Sequence, residues 1–185
     1  MGKLIFILGG ARSGKSSYAQ RLAERSGKSV AFIATAQAGD EEMSARITKH
    51  RVDRPFEWTT LEIPQNIAAQ LKQHPMHADL YLLDCVTLLT ANILFQFTVG
   101  EVTDEQKATD AVKAELDELV AYIHEHEQEW IVISNEVGLG LVPPYPMGRI
   151  YRDLLGIANQ NLAAAADEVY ILMAGIPVPI HSFRV

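Results

Sequence analysis

Near the N-terminus, Gly9-Gly10-Ala11-Arg12-Ser13-Gly14-Lys15-Ser16 sets glycines, a lysine and a hydroxyl at the spacing G-x4-G-K-S. Glycines let a backbone turn tightly and aim its N–H groups inward, and a helix N-terminus adds partial positive charge. Lys15 can then reach the outer phosphates of ATP or GTP, and Ser16 can hold Mg²⁺. An apolar run precedes these residues and a helical pattern follows, the context a Walker A loop requires. The competing reading is a glycine-rich strand-to-helix turn with an incidental lysine. A carboxylate ends another apolar run, Leu80-Tyr81-Leu82-Leu83-Asp84. P-loop proteins orient their metal from such a position, which makes Ser16 and Asp84 the metal candidates. Asp is also common at helix N-caps, and Asp84 could cap a helix over Val86 to Phe97. Cys85 has no basic neighbour in sequence to activate it and reads as a packed thiol.

A histidine stands in unusual company. A helix from Glu41 to His50, with Asp40 as N-cap, puts Met43, Arg46, Ile47 and His50 on one face. Arg51-Val52-Asp53-Arg54-Pro55 follows, so Arg46, Arg51 and Arg54 flank the imidazole. Like-charge repulsion would keep that ring neutral and able to attack an α-phosphate. By residue type alone, a surface histidine at an arginine-rich helix end is the commoner situation. His124 and His126 are two apart on a helical stretch and point to different faces, which disfavours a shared zinc ion. His74, His77 and His181 read as solvated.

Positioning these residues requires strands that end where the chemistry begins. Apolar runs suggest strands at Lys3 to Leu8, Ser29 to Thr35, Glu57 to Leu61, Asp79 to Leu83, Trp130 to Ser134 and Glu168 to Met173. Most read as buried on both faces. Between them, helical periodicity marks Lys15 to Arg25 with a stop at Gly27, Asp104 to Glu127, and Gly148 to Ala166. Phe97 to Thr103 and Val142 to Met147 read as irregular excursions. The alternation predicts an α/β fold: a single-domain P-loop NTPase, RecA-like, with a mostly parallel, doubly wound sheet over residues 1–185.

Composition narrows the partners. The 185 residues are about half apolar, enough for one domain with a sizeable core. The 23 acids against 16 bases give a net charge of −7, with no basic concentration to hold a nucleic acid. The single cysteine forbids an intrachain disulfide and suits a reducing cytoplasm. The apolar run Leu4 to Leu8 is too short for a signal-peptide core or a membrane span. The expectation is a cytoplasmic protein with a small anionic ligand and no membrane span.

An ordered set of residues over nearly the whole chain resembles one family. It comprises Gly9 to Ser16, Ile33-Ala34-Thr35-Ala36, Asp40-Glu41-Glu42-Met43 with Arg46-Ile47 and His50, Arg54-Pro55, and Trp58-Thr59-Thr60-Leu61-Glu62. Leu83-Asp84-Cys85, Ser134-Asn135-Glu136-Val137-Gly138, Arg152-Asp153, Asn159-Gln160 and Ala165-Ala166-Asp167 complete it. These residues are similar to the bifunctional adenosylcobinamide kinase / adenosylcobinamide-phosphate guanylyltransferases of cobalamin synthesis. The resemblance implies that Gly9, Gly10, Ala11, Arg12, Ser13, Gly14, Lys15 and Ser16 bind the guanosine nucleotide. It also implies contacts from Ala34, Thr35, Ala36, Arg51, Val52, Asp53, Arg54, Glu62 and Asp84. His50 would be the residue that becomes guanylylated, with Lys15 beside it in catalysis, Mg²⁺ as cofactor, GTP and ATP as substrates, and a homotrimer as the assembly. Two other readings compete: a P-loop small-molecule kinase with no guanylyl intermediate, and a non-catalytic nucleotide sensor. Phe97 to Lys107 matches no signature of the family, and Gly175 to Val185 extends a C-terminal region that is variable in such proteins. Glu136 could act as a base or bond nearby backbone.

Overall fold

In the computed structural model, which describes residues 2–37 and 54–183, the apolar runs become β1 (Leu4–Gly9), β2 (Val30–Ala34), β3 (Thr59–Glu62), β4 (Leu80–Asp84), β7 (Glu129–Ile133) and β8 (Glu168–Met173). A two-stranded ribbon, β5 (Thr98–Val99) with β6 (Val102–Thr103), and a final strand β9 (Ile176–Pro179) complete the β-structure. The helices are α1 (Lys15–Ser26), α2 (Ile67–Gln73), α3 (Val86–Gln96), α4 (Glu105–Glu125) and α5 (Pro146–Ala165), with a short 3₁₀ turn at His181–Phe183.

Seven strands form one sheet in the order β3-β2-β4-β7-β1-β8-β9. All neighbours are parallel except β8 and β9. Helices cover both faces, so the central strands are buried on both sides and read as continuous apolar runs. On one face Ile5, Ile7, Phe32, Leu80, Leu82, Ile131 and Ile133 pack with Ala19 and Ala23 of α1. On the other, Leu4, Phe6, Ile33, Tyr81, Leu83, Trp130 and Val132 pack beneath α2, α3, α4 and α5. The expected helix from Glu41 to His50 lies outside the described residues.

Polar side chains lock the frame. Asp167 accepts from Leu4 N through Oδ2 at 2.7 Å, while its own N–H donates to Leu4 O at 2.8 Å, setting β8 against β1. Glu115 of α4 is buried and accepts from Asn66 N and Ile67 N at 2.7 and 2.9 Å, satisfying amides at the start of α2. Burial raises the Glu115 pKa, and the two backbone donors oppose that rise.

Several expectations shift. β3 runs Thr59–Glu62 rather than Glu57 to Leu61, and as an edge strand it is largely exposed. Helix α2 has too few residues to show a periodic apolar face, and the expected loop at Phe97 to Thr103 contains the small ribbon. α5 begins at Pro146, two residues before Gly148, because proline suits a first helical position. β9 turns back along β8 through Ala174 and Gly175, whose φ values of 51° and 81° suit a tight two-residue hairpin.

Candidate active site

The parallel strands β1, β2, β4 and β7 all end on the same edge of the sheet, where loops converge in an open α/β fold. There β1 runs into the glycine-rich loop. Gly9 has φ 155°, and a Cβ on it would lie 2.7 Å from both Leu172 O and Ser13 Oγ, so the loop passes β8 too closely for any side chain. Gly14 caps α1 in the left-handed region at φ 94°, a conformation natural to glycine. The hairpin tip between β8 and β9 braces the loop from outside, with Gly175 N donating to Ser13 O at 2.9 Å.

Lys15 folds back across the loop, its Nζ donating to Gly10 O at 2.6 Å and lying 3.4 Å from Ser13 Oγ. Burial lowers its pKa, and Cys85 and Asp84 pull the other way. An anion entering the loop would replace a backbone carbonyl with charge as the partner of this ammonium.

A cavity of about 580 Å³ opens over the loop. Residues 11–17 form one wall, and Ala34, Ala36, Arg54 and Glu62 another. Asp84, Cys85, Thr87, Leu88, Ile133 and Asn135 close the floor. Asp84 ends β4, two strands from β1 in the sheet order. The N-cap of α3 is Cys85, which removes helix capping as the reason for Asp84. The Cys85 thiol is pushed up to about 12 by burial and then by the nearby Asp84 carboxylate, so it is an inert thiol at neutral pH.

Two hydrogen-bonded seams hold that floor. Thr35 is fully buried; its Oγ1 accepts from Cys85 N at 2.8 Å and donates to Cys85 O at 2.7 Å, joining the end of β2 to the end of β4. Asn135 N donates to Thr87 Oγ1 at 2.9 Å, and Asn159 Nδ2 of α5 donates to Asn135 O at 3.0 Å. In the cavity wall, the Arg54 guanidinium lies 3.4 Å above the centre of the Phe32 ring and 3.5 Å from Thr60 Oγ1, which orients it against β2 and β3.

Of the residues named from sequence, Ala11, Arg12, Ser13, Gly14, Lys15, Ser16, Ala34, Ala36, Arg54, Glu62 and Asp84 line this one cavity. Gly9 and Gly10 shape the loop behind it, and Thr35 lies beneath, its hydroxyl turned to Cys85. His50, Arg51, Val52 and Asp53 lie outside the described residues. Glu136 Oε1 accepts from Gly138 N at 2.7 Å and so secures its own turn. His126 stacks on Tyr122 with ring centroids 4.0 Å apart, and no cluster of metal-ligating side chains occurs among the described residues. Sequence reasoning did not single out Thr87, Leu88 or Asn135 as lining residues. A polar residue just past the last apolar position of a strand was the available signal, and Asn135 carries it.

A strand, a glycine-rich turn and a helix N-terminus around a buried lysine, with an acid on a nearby parallel strand, define a P-loop nucleotide-binding protein of the RecA-like kind. The RadB recombinase shares this fold, with a TM-score of 0.51 at 17% identity over 92% of this chain and 74% of that one. Residues 5–180 match the family described as cobinamide kinase / cobinamide phosphate guanyltransferase, and the chain belongs to that family. It is 39% identical to the bifunctional adenosylcobalamin biosynthesis protein CobU of Escherichia coli, over 96% of this chain and 99% of that protein. It is 42% identical to the bifunctional adenosylcobalamin biosynthesis protein CobP of Pseudomonas aeruginosa, over 94% and 95%. Against CobU of Salmonella typhimurium it is 38% identical, over 96% and 99%.

Proposed function

We propose that this chain phosphorylates adenosylcobinamide with ATP or GTP and then transfers GMP from GTP, through a histidine, to give adenosylcobinamide-GDP. The observation that carries the reading is the cavity that gathers the phosphate loop, Asp84, Glu62 and Arg54, in a chain matched over 94–96% of its length by bifunctional relatives.

In the first reaction the hydroxyl of the aminopropanol arm forms a bond to the γ-phosphorus while the bond to the β,γ-bridging oxygen breaks. The nucleoside diphosphate leaves and the hydroxyl proton passes to solvent. Loop amides and Lys15 face the charge that develops on the transferring group. In the second reaction a ring nitrogen of His50 forms a bond to the α-phosphorus of GTP and pyrophosphate departs. An oxygen of the corrinoid phosphate then displaces His50. The two displacements divide a difficult transfer.

Mg²⁺ fits the site. Ser16 and Asp84 line the same cavity, and the described residues offer no closed cage of three ligating side chains. Few protein ligands, with the rest from phosphates and water, is how this ion is held in phosphoryl-transfer sites. Ser16 and Asp84 would hold it, and it would neutralise charge on the phosphates.

A homotrimer accords with the surface. Leu139, Leu141, Val142 and Tyr145 follow β7 with 64–97% exposure, an apolar run of the kind subunits bury. Light scattering should return about three times the 20.5 kDa chain mass. A monomer would remove the assembly from the account.

Transfer of a γ-labelled phosphoryl group to adenosylcobinamide tests the kinase half. The wild-type chain should make a labelled corrinoid, and Lys15→Ala should lower the rate about a hundredfold or more. Full activity in Lys15→Ala would overturn the role given to the loop.

A further inference from the structure

We infer that Asn92 is a positioning residue for the nucleoside half of the nucleotide, acting by closing the cavity wall that the ends of β2 and β3 build; this rests on the nucleotide site proposed above. β2 lies three strands from β1 in the sheet order, and β3 one further out. At about 4.8 Å per strand, the wall formed by Ala34, Ala36 and Glu62 stands roughly 14 Å or more from the strand that feeds the phosphate loop. A pyrophosphate held in the loop is too short to reach that wall. The nucleoside of a bound nucleotide extends far enough to meet it.

The strand ladder stops at this wall. β2 and β3 pair as far as Ala34 with Glu62, and Ile63 N donates to Ala34 O at 2.9 Å. Pro64 follows, with no N–H to continue the ladder. Because β3 is an edge strand, its end depends on partners from outside the sheet. Asn92 of α3 supplies them. Its Nδ2 donates to Thr35 O at 2.9 Å and to Pro64 O at 3.0 Å, so the two hydrogens of one amide bridge the two strands. One turn further along the same side of α3, Gln96 Nε2 donates to Gln65 Oε1.

The clasp is tied to the floor of the site. Thr35 N donates to Asp84 O at 3.3 Å and its hydroxyl joins Cys85, so with Asn92 on its carbonyl every polar group of Thr35 is committed. α3 starts at Val86, two residues after Asp84, and carries Thr87 and Leu88 of the cavity floor. Asn92 is half-buried beside the buried Ile93 and does not itself line the cavity, so it acts on a ligand through Ala34, Ala36 and Glu62. Leucine at this position would favour the helix more, but it would leave two carbonyls without this donor.

The test measures affinities for GDP and for inorganic pyrophosphate, each with Mg²⁺, by calorimetry on the full chain. Asn92→Leu should weaken GDP binding about tenfold and leave pyrophosphate binding within about twofold of wild type, since losing the clasp frees the distant wall and spares the loop. Asn92→Ser, whose short hydroxyl cannot reach both carbonyls, should weaken GDP binding about threefold, with the melting temperature as the check on folding. GDP affinity unchanged in Asn92→Leu, or both ligands weakened together in a folded variant, overturns the inference. Loss of folding in both variants overturns it too, because Asn92 then serves the frame alone. A wild-type chain that fails to bind GDP, or fails to bind pyrophosphate, overturns the role of the loop and this inference with it. The expected split, in a wild-type chain that transfers no phosphoryl group to adenosylcobinamide, retains the role of Asn92 and sinks only the kinase reading.

Discussion

Replacing Thr35 with valine should destabilise the protein by about 2–4 kcal/mol while changing neither volume nor β-propensity appreciably. The magnitude follows from what each partner of Oγ1 has left. Cys85 O keeps a second donor, Leu89 N at 3.2 Å, so losing the Thr35 hydroxyl there removes one ordinary hydrogen bond of about 0.5–1.5 kcal/mol. Cys85 N has Thr35 Oγ1 as its acceptor at 2.8 Å, and an orphaned buried amide costs about 1–3 kcal/mol. For a chain of this length the sum corresponds to a fall of roughly 5–15 °C in melting temperature. Thr35→Ser keeps the hydroxyl and loses only a buried methyl, about 1 kcal/mol. Chemical denaturation of the three proteins gives the comparison. If Thr35→Val lost less than about 0.5 kcal/mol, or less than Thr35→Ser, the seam between β2 and β4 would not be held as described.

Two further outcomes follow from buried polar groups. Glu115→Ala should cost about 2–4 kcal/mol, because Asn66 N and Ile67 N both lose a charged acceptor, and Glu115→Gln should cost less; equal denaturation midpoints for wild type and Glu115→Ala would contradict the capping role. Five of the six tyrosines have raised pKa values. Burial takes Tyr81 to about 12 and raises Tyr18, Tyr122 and Tyr151, while the hydrogen bond to Glu168 leads the rise of Tyr170 to about 12. The folded chain keeps protons that the unfolded chain releases near 9–10, so stability should be intact below about pH 9 and fall as pH rises toward 12. An ultraviolet titration should show the folded tyrosines ionising late; all six ionising together near pH 10 in a still-folded chain would refute the burial assigned to them.

The fold was legible where both faces of a strand are buried. Leu4 to Leu8 and Leu80 to Leu83 are unbroken apolar runs because helices cover both sides of β1 and β4, and parallel strands must be joined by long crossovers. β3 and β9 are edge strands, so Thr59–Glu62 and Ile176–Pro179 carry little of that signal, and Pro177 and Pro179 disguise β9 further. α2 is held by Glu115 from a distant helix, a contact that no local pattern contains. In the candidate site, Gly9 to Ser16 was readable as a glycine-rich turn between strand and helix because all of its residues are contiguous in sequence. Asp84 was readable because it ends an apolar run, although capping competed until the structure placed Cys85 at the N-cap. The roles of Thr35, Thr87 and Asn159 depend on partners dozens of residues away, and only the sheet order brings those partners together.

The central claim is that one chain carries a kinase site and a histidine that accepts GMP. Incubation with α-labelled GTP and Mg²⁺, followed by acid and alkali treatment of the denatured protein, tests it most directly. Wild-type protein should hold label that survives alkali and is released by acid, as a phosphoramidate requires, and His50→Ala should hold none while still phosphorylating adenosylcobinamide. An unlabelled wild-type protein, or equal label on His50→Ala, would contradict the account.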